Sequence, residues 1–328
     1  MRPFNYVRAS EPNAAARAVG ANPQAKFLAG GTNLLDLMKE DVERPTELVD
    51  LTRLRLADIR PVAGGVSIGA LATNTVTANH PLIRQGYPLL TQAIVAGASG
   101  QLRNMATNGG NLLQRTRCQY FYDTAMPCNK REPGSGCGAR EGLNRIHAIL
   151  GWSEQCVATY PGDMANALYA LDAQVRIRTP DGVQRTIPVT EFHRLPGDTP
   201  QRDSNLAHGE LIEAIMLPPS PFAMHSHYLK VRDRASYAFA LVAVAAGLEM
   251  DGSTIRQARV VMGGVAHKPW RSMEAEGALA GKQASPEAFR AAADVALREA
   301  RPLEHNAYKV ELAKRAIVRA LMRASRLA

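Results

Sequence analysis

Two short glycine-pair loops constrain this chain more than any other feature. One is Ala29-Gly30-Gly31-Thr32-Asn33-Leu34-Leu35; the other is Ala106-Thr107-Asn108-Gly109-Gly110-Asn111-Leu112-Leu113. The first stands where a strand pattern gives way to a helix pattern, and the second has a similar make-up. Glycine lacks a Cβ, so the backbone there can approach a phosphate closely. The free N–H groups of a following helix add partial positive charge. Thr32, Asn33, Thr107 and Asn111 contribute polar side chains. Each loop alone is also an ordinary strand–helix turn, and the first lacks the G-x-G-x-x-G spacing of a Rossmann fingerprint. Taken as a pair, they fit a dinucleotide diphosphate held from two sides.

The flanking patterns agree with a mixed fold. Strands are expected over residues 4–7, 26–29 and 47–51. Helices are expected over 11–19, capped by Ser10, and over 33–40, which makes a small βαβαβ unit. Gly64-Gly65 reads as a turn between strands 59–62 and 66–70. One long helical region is expected from 75 to 95. A helix over 163–171 and a hairpin over 175–188 follow, then strands over 237–250 and 255–261 joined by Asp251-Gly252. Helices over 286–299 and 306–325 close the chain. The 328 residues are 46% hydrophobic and 21% charged, enough for a real core and for two or three domains. No apolar run reaches the ~18–20 residues of a membrane helix. The N-terminal MRPFNYVRASEPN has neither an apolar export segment nor a twin arginine, so the chain alone is expected to stay in the cytoplasm. The net charge is +9, and 31 of the 39 basic residues are arginine. They are scattered and not interleaved with aromatics, which reads as a solvated surface and not as a nucleic-acid interface.

All four cysteines, Cys118, Cys128, Cys137 and Cys156, fall within 39 residues. That stretch mixes Gly, Pro, Arg and aromatics without periodicity and reads as an insertion. Three causes compete for the clustering. A structural zinc usually uses close C-x2–4-C pairs, which are absent. Two disulfides need an oxidising compartment. A [4Fe–4S] cluster needs four thiolates and tolerates loop spacing. His225 and His227 share one strand face and read as solvated or internally satisfied. No Ser–His–Asp grouping, HExxH or Walker motif is present.

KFLAGGTNLL, SIGALAT and NGGNLL, in this order and spacing, resemble the FAD-binding medium subunits of the xanthine dehydrogenase family of molybdenum hydroxylases. The resemblance runs over essentially the whole chain. It implies an α+β fold: a two-part vanillyl-alcohol-oxidase-type (PCMH) FAD-binding domain over 1–222, divided at 56/57, with an inserted iron–sulfur loop over about 115–158, and a C-terminal α/β domain over 223–328. By resemblance, Lys26, Phe27, Leu28, Ala29, Gly30, Gly31, Thr32, Asn33 and Leu34, together with Thr107, Gly109, Gly110 and Asn111, wrap the FAD. Asp163 and Lys230 match flavin-contacting residues, although Gly162 replaces the family's usual serine. Ile212 falls where an aliphatic side chain packs on the flavin ring. A minority of the family, the hydroxybenzoyl-CoA reductases and the aldehyde oxidoreductases of periplasmic type, carry a [4Fe–4S] loop after the second glycine motif. The cysteine run here is similar to the aldehyde oxidoreductase version. The resemblance therefore implies FAD and a [4Fe–4S] cluster bound by Cys118, Cys128, Cys137 and Cys156. It implies a small [2Fe–2S] subunit and a large molybdopterin subunit as partners, an external electron acceptor, and export to the periplasm on a partner's signal. No catalytic acid or base is expected in this chain.

Overall fold

The computed structural model describes residues 1–327. The N-terminal unit runs β1 (Asn5–Arg8), α1 (Pro12–Ala21), β2 (Ala25–Leu28), α2 (Leu34–Lys39) and β3 (Glu47–Asp50). Its strands are parallel in the order β1-β3-β2. The helix start differs from expectation. Glu11, not Ser10, is the extended capping residue, because Pro12 supplies a preset φ at the first helical position.

The second unit begins with the hairpin β4 (Ile59–Val62) and β5 (Gly65–Gly69). The expected long helix over 75–95 is three short ones: α3 (Asn74–Asn79), α4 (Pro81–Gly86) and α5 (Pro88–Ala96). Pro81 and Pro88 have no N–H to continue a helix, and His80 and Tyr87 before them leave the helical region. Next come α6 (Gly100–Met105), α7 (Asn108–Leu112), α8 (Gln119–Tyr122), α9 (Gly138–Glu141) and α10 (Asp163–Ala170). Strands β6 (Gln174–Arg178) and β7 (Gln184–Pro188), helix α11 (Val189–Phe192) and β8 (Leu211–Leu217) complete a five-stranded antiparallel sheet in the order β4-β5-β8-β6-β7.

The third unit is a four-stranded antiparallel sheet, β12-β11-β10-β9. Its strands are β9 (Ser226–Val231), β10 (Val242–Asp251), β11 (Thr254–Gly263) and β12 (Trp270–Arg271). Three helices follow: α12 (Met273–Leu279), α13 (Pro286–Ala296) and α14 (Tyr308–Ala324). The expected strand start at 237 moves to Val242, because residues 232–241 form a loop. Helix α12 is additional to the expected elements; Ser272 caps it by accepting from the Ala275 N–H.

Every residue of α10 is buried. The helix sits between the second and third sheets, and its apolar side chains share one core with Ala243, Ala245 and Val261 of the third. That continuity places the C-terminal sheet against the region that carries the second glycine loop.

Candidate functional site

The two glycine loops meet. A Cβ on Gly30 would lie 2.0 Å from the Met105 carbonyl oxygen, just before the second loop, so only glycine permits this approach. Gly31 adopts φ +72, a conformation that L side chains rarely adopt. Asn33 Oδ1 accepts from the Arg115 N–H at 2.9 Å, tying the first loop to the end of the second.

The second loop is held by amides. Asn74 Nδ2 donates to Asn108 Oδ1 and Asn111 Nδ2 donates to Asn74 Oδ1, both at 2.9 Å. Asn108 Nδ2 donates to Thr77 Oγ1 at 2.7 Å. Thr107 caps α7 through the Gly110 N–H, and its backbone bridges Thr73. Gly109 lies against Ala70: a Cβ on Gly109 would stand 3.1 Å from the alanine Cβ. A Cβ on Gly110 would meet only Thr107 Oγ1, also at 3.1 Å.

These loops border a cavity of about 700 Å³, within the ~300–1,000 Å³ of cofactor pockets. Thr32, Asn33, Gly110, Asn111, Asp163 and Lys230 line it. The remaining residues expected around FAD are placed otherwise. Lys26, Phe27, Leu28, Ala29, Gly30, Gly31, Leu34, Thr107 and Gly109 support the loops without lining the cavity. Ile212 is buried in the main core, pairs with Ile177 across β8 and β6, and is not among the residues that line the cavity. This central strand is buried on both faces, which holds Ile212 in the core.

Asp163 and Lys230, 67 positions apart, form a buried ion pair at 2.7 Å in the wall. Lys230 Nζ also donates to the Ala96 carbonyl at 3.1 Å. Tyr228 OH donates to Asp163 Oδ1 at 2.7 Å, and burial next to that carboxylate pushes its own pKa well above the usual phenol value. Gly97 leaves room for this carboxylate: a Cβ there would stand 3.1 Å from Asp163 Oδ2, a tight contact. The adjacent Ala98 has φ +52, strain in a loop that also lines the cavity. The 232–241 loop closes another side with Asp233, Arg234, Tyr237 and Phe239. Arg117 lies over the Phe239 ring at 5.1 Å.

The four thiols are free and line one small second cavity. Cys128 and Cys137 are bridge partners across a loop that Asn129 pins, accepting from the Gly134 and Gly136 N–H groups at 3.1 and 2.8 Å. Burial pushes the Cys118 thiol up to about 12 and the Cys156 thiol up to about 11. Among the described residues, no three His, Cys, Asp or Glu side chains are gathered closely enough to hold a single metal ion. Lys130 donates to Asp203 Oδ1 at 2.5 Å and to the Pro200 carbonyl at 2.6 Å. Arg115 Nε donates to the other Asp203 oxygen at 2.8 Å. Burial raises the Asp203 pKa, but these two cations outweigh it and hold the carboxyl well below the usual range. His225 is internally satisfied, its Nδ1 3.0 Å from the Ala324 carbonyl.

Thr116 and Cys118 line both cavities, so one stretch of chain is their common wall. His147 reaches this wall too, with Nε2 3.1 Å from Cys118 Sγ. Sequence reasoning missed Asn74, Asn108, Tyr228 and His147. Asn108 lies inside the second motif. Tyr228 stands two residues before Lys230, on the same strand face. His147 lies between the third and fourth cysteines.

A flavin dinucleotide fits this chemistry. Asn33 Nδ2 and Asp36 Oδ1 are buried without a hydrogen-bond partner, and both residues line the large cavity. Native proteins seldom leave such groups unsatisfied unless a ligand or water completes them.

The chain is similar to known proteins along its whole length. Residues 2–220 match the family described as FAD binding domain in molybdopterin dehydrogenase. Residues 227–324 match the CO dehydrogenase flavoprotein C-terminal domain. The chain is 51% identical over 325 residues to the aldehyde oxidoreductase FAD-binding subunit PaoB of Escherichia coli K12, covering 99% of both chains. It is 28% identical over 281 residues to the glyceraldehyde dehydrogenase medium chain of Sulfolobus acidocaldarius, covering 85% of this chain and 82% of that one. A chain of the carbon monoxide dehydrogenase of Hydrogenophaga pseudoflava superposes with a TM-score of 0.78 at 26% identity, over 99% of this chain and 98% of that one. The chain therefore belongs to the FAD-binding medium subunits of the molybdenum hydroxylase family.

Proposed function

We propose that this chain is the electron-relay subunit of a molybdenum-dependent aldehyde oxidoreductase, carrying FAD in the large cavity and a [4Fe–4S] cluster in the thiol cavity. The observation that carries the reading is the common wall: two cavities of different chemistry, one lined by four cysteines, share Thr116 and Cys118. Full-length likeness to a bacterial aldehyde oxidoreductase FAD-binding subunit supports the substrate class. Four thiols spread around one cavity suit a cluster several atoms across better than a lone ion.

When bound, FAD supplies two-electron storage and hands electrons on one or two at a time. The chain's own residues do the rest. The glycine loops give backbone access to the diphosphate. Asp163 and Lys230 fix each other in the wall, so Lys230 presents a charge of defined position. The 232–241 loop limits solvent. No acid–base residue is needed in this subunit. Aldehyde oxidation to the acid takes place on a large molybdopterin subunit, and a small [2Fe–2S] subunit passes electrons here. An external acceptor then takes them from the flavin. The complex is periplasmic, exported on a partner's signal.

The test uses the isolated chain and the reconstituted complex. The chain alone should absorb as a flavoprotein with a broad shoulder near ~400 nm. It should pass electrons from dithionite to a dye and leave aldehydes unoxidised. Adding the other two subunits should restore aldehyde-dependent dye reduction. Aldehyde turnover by this chain alone, free of partner contamination, would overturn the relay reading.

A further inference from the structure

We propose that His147 is a positioning residue that couples the two sites, its Nε2–H donating to the Cys118 sulfur and making a cluster held there easier to reduce. The inference rests on the reading of the thiol cavity as a [4Fe–4S] site.

The geometry is specific. His147 is 1% exposed, and its Nε2 lies 3.1 Å from Cys118 Sγ. Among the described residues, the Cys118 sulfur alone of the four cysteine sulfurs has a side-chain hydrogen-bond partner. A cluster-bound thiolate can only accept, so the imidazole must present its N–H. Nδ1 is buried and makes no hydrogen bond among the described residues, so a proton on Nε2 leaves no ring N–H unsatisfied. The backbone that carries the ring is fixed. The His147 carbonyl accepts from Lys309 Nζ at 2.8 Å and from Asn306 Nδ2 at 3.2 Å, and its N–H donates to the Asn144 carbonyl at 3.0 Å. Lys309 also donates to the Gly264 carbonyl at 2.5 Å, anchoring this backbone to the third sheet. His147, Cys118 and Gly264 all line the flavin cavity. The contact therefore lies in the partition between the two sites, not on the solvent side.

Reduction adds one electron to the cluster and raises the negative charge on its sulfurs. A fixed N–H donor stabilises that form more than the oxidised one. The electron comes from the reductant, and the Nε2 proton stays on His147, so no proton transfer accompanies the step.

The experiment is an EPR-monitored redox titration of the full chain, native and with His147→Leu or His147→Gln. Iron and flavin are quantified first. His147→Leu should bind iron and FAD but hold a reduced-to-oxidised cluster ratio about tenfold lower at a fixed poise, equivalent to about 59 mV for one electron. His147→Gln keeps an N–H donor and should recover most of that loss, which a purely structural role would not require. Equal potentials in the native and Leu chains, with iron present in both, would overturn this inference alone. A native chain without iron would remove the cluster reading and this inference together. Should the Leu variant lose its iron, pulsed EPR on the native chain labelled with 15N-histidine decides. A 15N coupling to the reduced cluster is expected, and its absence overturns the assignment.

Discussion

The flavin cavity and the thiol cavity adjoin, yet they are built by opposite means. The flavin cavity draws residues from all three sheet units, and its shape depends on close backbone approaches such as Gly30 against Met105. Its polar groups are tied to one another, through the Asn74–Asn108–Asn111 amides and the Asp163–Lys230 pair. The thiol cavity is lined almost wholly by one irregular segment, residues 116–158, whose only helices are the four-residue α8 and α9. That segment is held from outside by Lys130 on Asp203 and by Lys309 on the Ile146 and His147 carbonyls, and from within by Arg131 on the Tyr120 and Phe121 carbonyls. A site distributed over sheets is shaped by their packing. A site made from a loop needs anchors, and burial raises the pKa of its Cys118 and Cys156 thiols.

The sharpest way to break this comparison is to damage one site and watch the other. Cys137→Ser should abolish most of the iron and sulfide, from about four per chain, while FAD stays bound. Metal and acid-labile sulfide analysis beside the flavin spectrum checks this. Native protein with zinc near one per chain would refute the cluster.

The converse substitution is Gly110→Val. A Cβ there meets only Thr107 Oγ1 and Gly110 lines the cavity, so the side chain should enter it and expel FAD while iron remains. Lost linkage should lower stability in excess flavin by about 2.7 kcal/mol if FAD stands at about a hundred times its Kd. Full flavin occupancy would sink the two-loop assignment. Gly30→Val should instead impair folding, because the 2.0 Å neighbour is backbone.

A smaller effect sharpens the comparison through pH. Asp50, at the end of β3 and paired in register with Leu28 before the first glycine loop, is buried. Burial raises its pKa, but hydrogen bonds from Tyr6, the Thr52 N–H and hydroxyl, and Arg8 bring it down to about 2. Its folded pKa lies below the unfolded ~3.9, so its contribution is complete above that value and lost as pH falls toward about 2. Urea unfolding of the native chain should lose on the order of 2 kcal/mol over this window, with a shallower loss in Asp50→Asn. Equal slopes would show that Asp50 does not pin the flavin side.

Much of the frame is legible because its signals are local. Glycine turns set the β4–β5 and β6–β7 hairpins, Asp251-Gly252 sets the β10–β11 hairpin, and Ser285-Pro286 starts α13. The break of the 75–95 region is written in Pro81 and Pro88, although the apolar periodicity runs on through both. Start and stop residues act within one or two turns, so the chain order alone determined these hairpins and helix starts and where the glycine loops stand between them. Which side chains meet was decided only by the tertiary structure. Asp163 and Lys230 pair because β9 packs close to α5, which in turn lies against α10. Ile212 enters the core because β8 lies at the centre of its sheet. Four cysteines spaced irregularly come to one cavity because distant ion pairs and carbonyls hold their loop, and His147 reaches Cys118 because Lys309 on the last helix fixes its backbone. Such contacts join residues tens to hundreds of positions apart. No local pattern encodes them, since their geometry depends on how the three sheets pack.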